Sequence, residues 1–272
     1  MKNLKNLLKI RDYVRKNEPL IHAITNPIAI NMVANAILFQ EAKAICADHP
    51  DEMEDIVKIS DSLSVNLGNI KSERMKAIKR AVEFANKKKI PTIIDLVGIG
   101  ASRLRLDFAQ KLLDENDFDI IKGNSSEILA LVGKSSAKGV DVGESDEIRE
   151  DKIKEFVKIS SDISKKYNTT VLMTGKTDIL VRDREYFLVE NGCENLSKIT
   201  ATGCMLTGLI STFLSYGDSI EASLLGLLIL EISGELCEDD RLYTFFVNLM
   251  DNIGTLDDES IEKYAKIKRG VL

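Results

Sequence analysis

The sequence predicts an α/β fold in which a mostly parallel sheet carries helices on both faces. Two observations point to it. Short runs rich in β-branched and apolar residues alternate with longer runs of helical period, from about residue 20 to the end of the chain. Strand–helix–strand repeats of this kind imply right-handed crossovers between parallel strands. Several of the short runs, "IPTIIDLV" (90–97) among them, are also apolar without strict alternation, as expected of strands covered on both sides.

Taken in order, "LIHAITNPIAINMVANAI" (20–37) begins like a strand and continues as an apolar helix. Proline suits a first helical turn, which makes Asn26 a candidate N-cap ahead of Pro27. The runs "KAICA" (43–47), "SLSVNLG" (62–68), "IPTIIDLV", "DIIKG" (119–123) and "TTVLMTG" (169–175) read as strands. Between them, 71–89 puts Met75, Ile78, Val82 and Ala85 on one face against lysines. Residues 145–167 do the same with Ile153, Phe156, Val157, Ser160 and Ile163, after an acidic first turn that suits the helix dipole. "DILVRD" (178–183) and "YFLVEN" (186–191), joined by "RE", read as an antiparallel hairpin that finishes the sheet. In 198–214 a helix starts near Cys204, with Met205, Leu206, Leu209, Ile210, Phe213 and Leu214 on its buried face. From about 219 onwards the pattern is helical. "GKSSAKGVDVGESDE" (133–147) reads as a surface loop; with no low-complexity linker and no repeat, residues 1–272 are expected to form one domain.

The composition is that of a soluble globular protein, with 44% hydrophobic and 29% charged residues. The net charge of −6 is spread along the chain, which argues against nucleic acid as a partner. Cys46, Cys193, Cys204 and Cys237 lie far apart and form no CxxC pair, so neither a zinc site nor a disulfide framework is indicated. The first residues scatter lysines and arginines among leucines, unlike a signal peptide. The apolar stretch Ala222 to Leu230 is too short to span a bilayer. A cytoplasmic location with no membrane contact is expected.

In parallel sheets ligands gather at the carboxyl ends of strands, and that is where chemistry-bearing residues fall. Asp95 ends a strand before a glycine-rich turn, where it either braces the turn or holds Mg²⁺ through water near phosphates. Lys122, Asn124 and Glu127 follow the next strand, the last two with nearly the form of a capping box. Cys46 falls at the end of a third strand, where a lone buried cysteine is more often a small apolar filler. "VGKSS" (132–136) and "TGKTD" (174–178) are not P-loops, because Ile128 and Thr170 stand where the first glycine belongs. "LVGIGASR" (96–103) fails the dinucleotide fingerprint at Arg103. His22 and His49 have no partner at metal-ligand spacing. Cys204, at a helix start, invites a depressed thiol pKa and a nucleophile reading, or a role facing a hydroxyl that attacks phosphorus.

Together, "HAITNPIAINMVANAIL", "ADHPDEMEDIVKISDSLSVNLG", "DLVGIGASR", "IIKGNSSEI", "VLMTGKTD" and "TATGCMLTG" run in order from about 20 to 215. In this the chain resembles the hydroxyethylthiazole kinases of the ribokinase-like superfamily. The resemblance implies a three-layer α/β/α sandwich, ATP and Mg²⁺ as cofactors, and phosphorylation of hydroxyethylthiazole in thiamine salvage. It implies a homotrimer with active sites between subunits, substrate meeting Asn26 on one and Cys46 on another. It assigns Lys122, Thr174 and Asn124 to the nucleotide and Asp95 and Glu127 to the metal and its water. It assigns Ala201 and Gly203 to an anion-hole turn, and Cys204 to the catalytic position that is aspartate in most relatives. The sequence departs from the family pattern at Lys122, usually arginine, at Leu96, usually proline, at Ala201, usually glycine, and at Cys46, usually methionine. Another small alcohol, a pyrimidine or a sugar, is the alternative substrate; a non-catalytic binding protein and a cysteine hydrolase are alternatives of other classes.

Overall fold

The computed structural model describes residues 4–134, 147–238 and 241–272. One sheet of nine strands runs through it: β1 (Leu20–Ile24), β2 (Lys43–Ile45), β3 (Ser62–Asn66), β4 (Thr92–Asp95), β5 (Ile120–Asn124), β6 (Thr170–Thr174), β7 (Asp178–Arg182), β8 (Glu185–Val189) and β9 (Ile267–Val271). Their order is β2-β1-β3-β4-β5-β6-β7-β8-β9. The first six are parallel, and β7, β8 and β9 add antiparallel ladders.

The helices are α1 (Leu4–Asn17), α2 (Ile30–Leu38), α3 (Met53–Lys58), α4 (Ser72–Lys88), α5 (Arg103–Glu115), α6 (Ser125–Leu131), α7 (Ile153–Tyr167), α8 (Glu194–Lys198), α9 (Thr202–Leu214), α10 (Ser219–Glu235), α11 (Leu242–Thr255) and α12 (Asp258–Tyr264). Two cores separate them into layers. Helices α1, α2, α9, α10 and α11 pack on one face with Ile93, Ile120, Leu172 and Leu180. Helices α3 to α7 pack on the other with Ile94, Ile121, Val171 and Ile179. Neighbouring residues of one strand thus enter opposite cores, as the pleat requires, and the expected three-layer α/β/α sandwich is what forms.

Several boundaries depart from expectation. Asn26 does not cap α2: its Oδ1 accepts the Ile28 N–H at 2.9 Å, an Asx turn, and α2 starts only at Ile30. Helix α7 begins at Ile153 after a single 3₁₀ turn over Glu150–Lys152, because the acidic residues precede the helix. The hairpin loop is Asp183–Arg184, one residue earlier than "RE", since Arg182 pairs with Glu185 and Asp183 takes φ 55°. That hairpin does not finish the sheet, because β9 pairs along β8 and turns the tail beyond the last helices into an edge strand. Helix α9 is buried on every side from Cys204 to Leu214, not along one face; both α2 and α10 pack on it. Of the expected loop 133–147, residues 135–146 lie outside the described residues, as do the first two of 145–167.

Candidate active site

Parallel pairing sets three polar residues side by side. Asn66 at the end of β3 registers with Asp95 at the end of β4, and Asp95 registers with Lys122 in β5. Register partners in parallel strands point to the same face about 4.8 Å apart, so the three side chains converge. Asp95 is fully buried, and its Oδ2 accepts from Asn66 Nδ2 at 3.0 Å, Lys122 Nζ at 3.1 Å and Thr207 Oγ1 at 2.7 Å. Its Oδ1 is buried with no hydrogen-bond partner. Lys122 is only 3% exposed. Burial works against its ammonium, but the Asp95 carboxylate, with Cys204 and Glu127 adding to it, outweighs that and raises its pKa above the ordinary lysine value. The lysine is therefore a fixed positive charge inside the protein.

Two residues further along β5, Asn124 is the N-cap of α6 in a complete capping box. Its Oδ1 accepts the Glu127 N–H at 2.9 Å, and Glu127 Oε2 accepts the Asn124 N–H at 2.7 Å. Glu127 Oε1 takes the Gly98 N–H at 2.8 Å, so one carboxylate ties the turn after β4 to the start of α6. Gly98 occupies φ 71° there, which glycine adopts without strain. Burial and the nearby Asp95 push the Glu127 carboxyl up to about 7, against two backbone N–H bonds that favour its charge. Thr174 ends β6 in register with Asn124, and its hydroxyl donates to the Gly123 carbonyl at 3.4 Å.

The opposite wall is the start of α9. Ala201 precedes it with φ 67° and ψ 7°, the left-handed conformation that costs an alanine free energy and a glycine none. A Cβ placed on Gly203 would lie 3.7 Å from Lys122 Nζ, so this turn and the lysine share one space. Cys204 is buried, and its Sγ accepts from Asn66 Nδ2 at 3.4 Å. The expected depressed thiol pKa is not found. Burial, reinforced by the Asp95 charge, pushes the thiol up to about 12, which overrides any benefit from the helix start. His22 turns Nε2 to the Ala47 carbonyl and His49 Nδ1 accepts the Asp51 N–H. The cysteine-hydrolase alternative, which needs a histidine on Cys204, gains nothing here.

Asn26 joins this space from β1. A Cβ on Gly68 would come within 3.1 Å of Asn26 Nδ2 and 2.8 Å of Asn66 Oδ1, and only glycine fits between them. Cys46 does not join it. It follows β2 at the edge of the sheet, three strands or about 14 Å sideways from Asp95.

The hydroxyethylthiazole kinase family model matches residues 12–259. The chain belongs to the hydroxyethylthiazole kinase family. A Clostridium botulinum (strain 657) relative, hydroxyethylthiazole kinase 2, is 45% identical over 262 residues, covering 96% of this chain and 99% of that one. The structure of a hydroxyethylthiazole kinase protein from Pyrococcus horikoshii OT3 superposes with a TM-score of 0.86 at 29% identity, covering 98% and 99% of the two chains. A ribokinase-like superfamily protein from Enterococcus faecalis V583 has a TM-score of 0.63 at 13% identity over 92% of this chain and 89% of that one, a likeness of fold alone.

Two residues of this kinase-family site escaped the sequence reading, Asn66 and Thr207. Asn66 carried the strand-end signal that picked out Asp95. Thr207 stands three residues after Cys204, on the same helix face, a spacing that would have found it.

Proposed function

We propose that the chain transfers the γ-phosphoryl group of ATP to the hydroxyl of 4-methyl-5-(2-hydroxyethyl)thiazole, a salvage step towards thiamine. Membership of the hydroxyethylthiazole kinase family over nearly the whole chain carries this reading. It is supported by a buried lysine–aspartate pair that faces the first turn of α9.

Phosphoryl transfer passes through a loose transition state, so position and charge matter more than early removal of the alcohol proton. Lys122 supplies the positive charge beside the phosphates, and Thr174 and Asn124 line the nucleotide side. Backbone N–H groups of the Ala201–Gly203 turn stabilise charge as it develops on the transferred group. The Cys204 thiol faces the substrate hydroxyl. A thiol that titrates at about 12 is neutral at pH 7 and keeps its own proton, so it holds the substrate hydroxyl by a hydrogen bond and does not act as its base.

Mg²⁺, when bound, would supply positive charge against the phosphates. The site fits it. Asp95 Oδ1 is a buried oxygen without a partner, and each Glu127 oxygen, bonded once to a backbone N–H, keeps a second lone pair. Mg²⁺ retains several waters and needs only one or two carboxylates, so Asp95 and Glu127 would hold it with Asn124 beside them.

The distance of Cys46 from Asp95 within one chain supports a homotrimer in which it completes a neighbour's substrate wall, Asn26 lying on the other side. Exposed Leu38 at the end of α2, Phe39 just after it, and Leu242, Tyr243 and Val247 on α11 supply apolar surface for such an assembly. The continuous sheet supports one domain over 1–272. Among the described residues no helix is long and apolar enough to cross a membrane, and a cytoplasmic site of action agrees with the four free thiols.

The test is ADP release with ATP, Mg²⁺ and hydroxyethylthiazole, with hydroxymethylpyrimidine and ribose in parallel. Turnover with the thiazole alone supports the reading. Turnover with another alcohol keeps the kinase and moves the substrate, and silence from all three overturns the thiazole reading and leaves a binding protein or a kinase of some other alcohol.

A further inference from the structure

Beyond the residues already assigned, a second pair of buried acids lies under the turn between β6 and β7. Asp178, the first residue of β7, is 3% exposed, and Glu231 on α10 is 7% exposed. Helix α10 packs on β7, and each of these two carboxyls bears on the other; two buried carboxyls this close are favourable only with one proton shared between them. Asp178 Oδ1 also accepts the Gly175 N–H at 3.0 Å, the residue directly after Thr174. Glu231 Oε2 is buried with no hydrogen-bond donor to support a charge on it, which favours the neutral carboxyl.

The surrounding charges favour this arrangement. Lys122 from β5 acts on Asp178 and favours its ionised form. Glu235, one turn along α10, disfavours charge on Glu231. Glu235 is itself held by Asn191, the Gly192 N–H and Lys266 Nζ. Lys176 on the turn is exposed. Burial raises both acids, and Glu231 rises well above the usual carboxylate range. The proton therefore sits on Glu231 and the charge on Asp178.

We propose that Asp178 and Glu231 are a positioning pair: the Glu231 proton latches Asp178, and through the Gly175 N–H the whole β6–β7 turn, onto α10, holding the Thr174 end ready for nucleotide. The pair touches no reacting atom. It joins the nucleotide side of the site to α10, the helix that packs on α9 and so backs the substrate side. The proposal rests on the reading of Thr174 as a nucleotide contact.

The experiment compares wild type, Glu231→Gln and Glu231→Leu by direct ATP titration, by KM and kcat, and by thermal melting from pH 6 to 10. Glutamine keeps a donor at every pH, whereas leucine has the size and no donor. Glu231→Gln should bind ATP within about twofold of wild type at pH 7 and keep that affinity at alkaline pH, where wild type weakens. Glu231→Leu should weaken ATP about tenfold at pH 7, with kcat changed by less than about threefold. Wild-type affinity in Glu231→Leu, or the wild-type alkaline loss in Glu231→Gln, overturns the latch. A Thr174→Val variant separates the two readings. If it binds ATP as wild type does, the nucleotide assignment has failed, and the latch is judged by melting. A group raised in the folded state stabilises below its unfolded pKa and loses that as pH rises through the folded value. Wild type should then lose melting temperature towards pH 10 by more than Glu231→Gln does, and equal slopes reject the shared proton.

Discussion

Lys122 and the turn that runs from Ala201 to Gly203 face the same space from opposite walls, and they are held there by different means. The strand-end wall is held by charge: one Asp95 oxygen gathers three donors, and one glutamate closes a capping box and a turn together. The α9 wall is held by backbone geometry, with an alanine in the left-handed region ahead of a helix buried all round. A buried charge with its partner removed is expensive, whereas a strained residue costs little and can be relieved. The two walls should therefore respond to mutation on different scales.

The largest effect is expected on the charged wall. Lys122→Met leaves Asp95 buried and uncompensated, which should cost about 3–5 kcal/mol of stability and lower the melting temperature by roughly 10 °C. Turnover should fall at least a hundredfold, on the scale of losing a charge-stabilising donor. A melting temperature within about 2 °C of wild type would show that charge does not hold this wall.

On the α9 wall Cys204→Ser should lower kcat by about ten- to a hundredfold without abolishing it, near the lower end for acid–base groups. Cys204→Asp should retain or raise turnover, because a carboxylate accepts a proton at pH 7 where a thiol at about 12 does not. Single-turnover rates on folded variants decide it. Complete loss in the serine variant makes the thiol obligatory, and a clear loss in the aspartate variant shows that a proton acceptor at this position brings no gain.

A third effect returns to the charged wall. With its carboxyl near 7, Glu127 should give kcat/KM an acid limb close to neutrality, shifted downward by bound Mg²⁺ and absent in Glu127→Gln. The sign for stability is the reverse. Because folding raises this pKa from 4.5, the native state holds the extra proton, and the group's contribution is full below 4.5 and lost as pH rises through about 7. Melting temperature followed over that range should slope downward in wild type and less so in Glu127→Gln.

The smallest effect is Ala201→Gly, which removes the left-handed strain and should stabilise by about 0.5–1 kcal/mol, part of the gain being offset by a freer unfolded chain. A gain of about 2 °C with unchanged KM for the alcohol is expected. A loss would mean that the methyl group packs usefully at this φ.

Both walls were partly legible beforehand. Asp95, Lys122, Asn124 and Glu127 were found because strand ends and capping spacing are local patterns. Asn66 stood at such a strand end too, yet its importance depends on a sideways register with Asp95, which is not a local property. The left-handed φ of Ala201 could not be read either, because alanine prefers the opposite sign and only the packing of α9 imposes this one. For Cys204 the helix start was read correctly and its electrostatic consequence was not, since burial beside Asp95 outweighs the helix dipole.

By itself the sequence determined the alternation of strands and helices, the two-sided burial of the central strands and the family resemblance, because hydrophobic period and turn chemistry act over a few residues. Tertiary structure alone decided that Asn66, Asp95 and Lys122 stand in one row, that Cys46 lies three strands away, that the last residues form an edge strand and that Asp178 meets Glu231. Each of these joins residues far apart in the chain, and the charge state of a buried group follows from what folding packs around it.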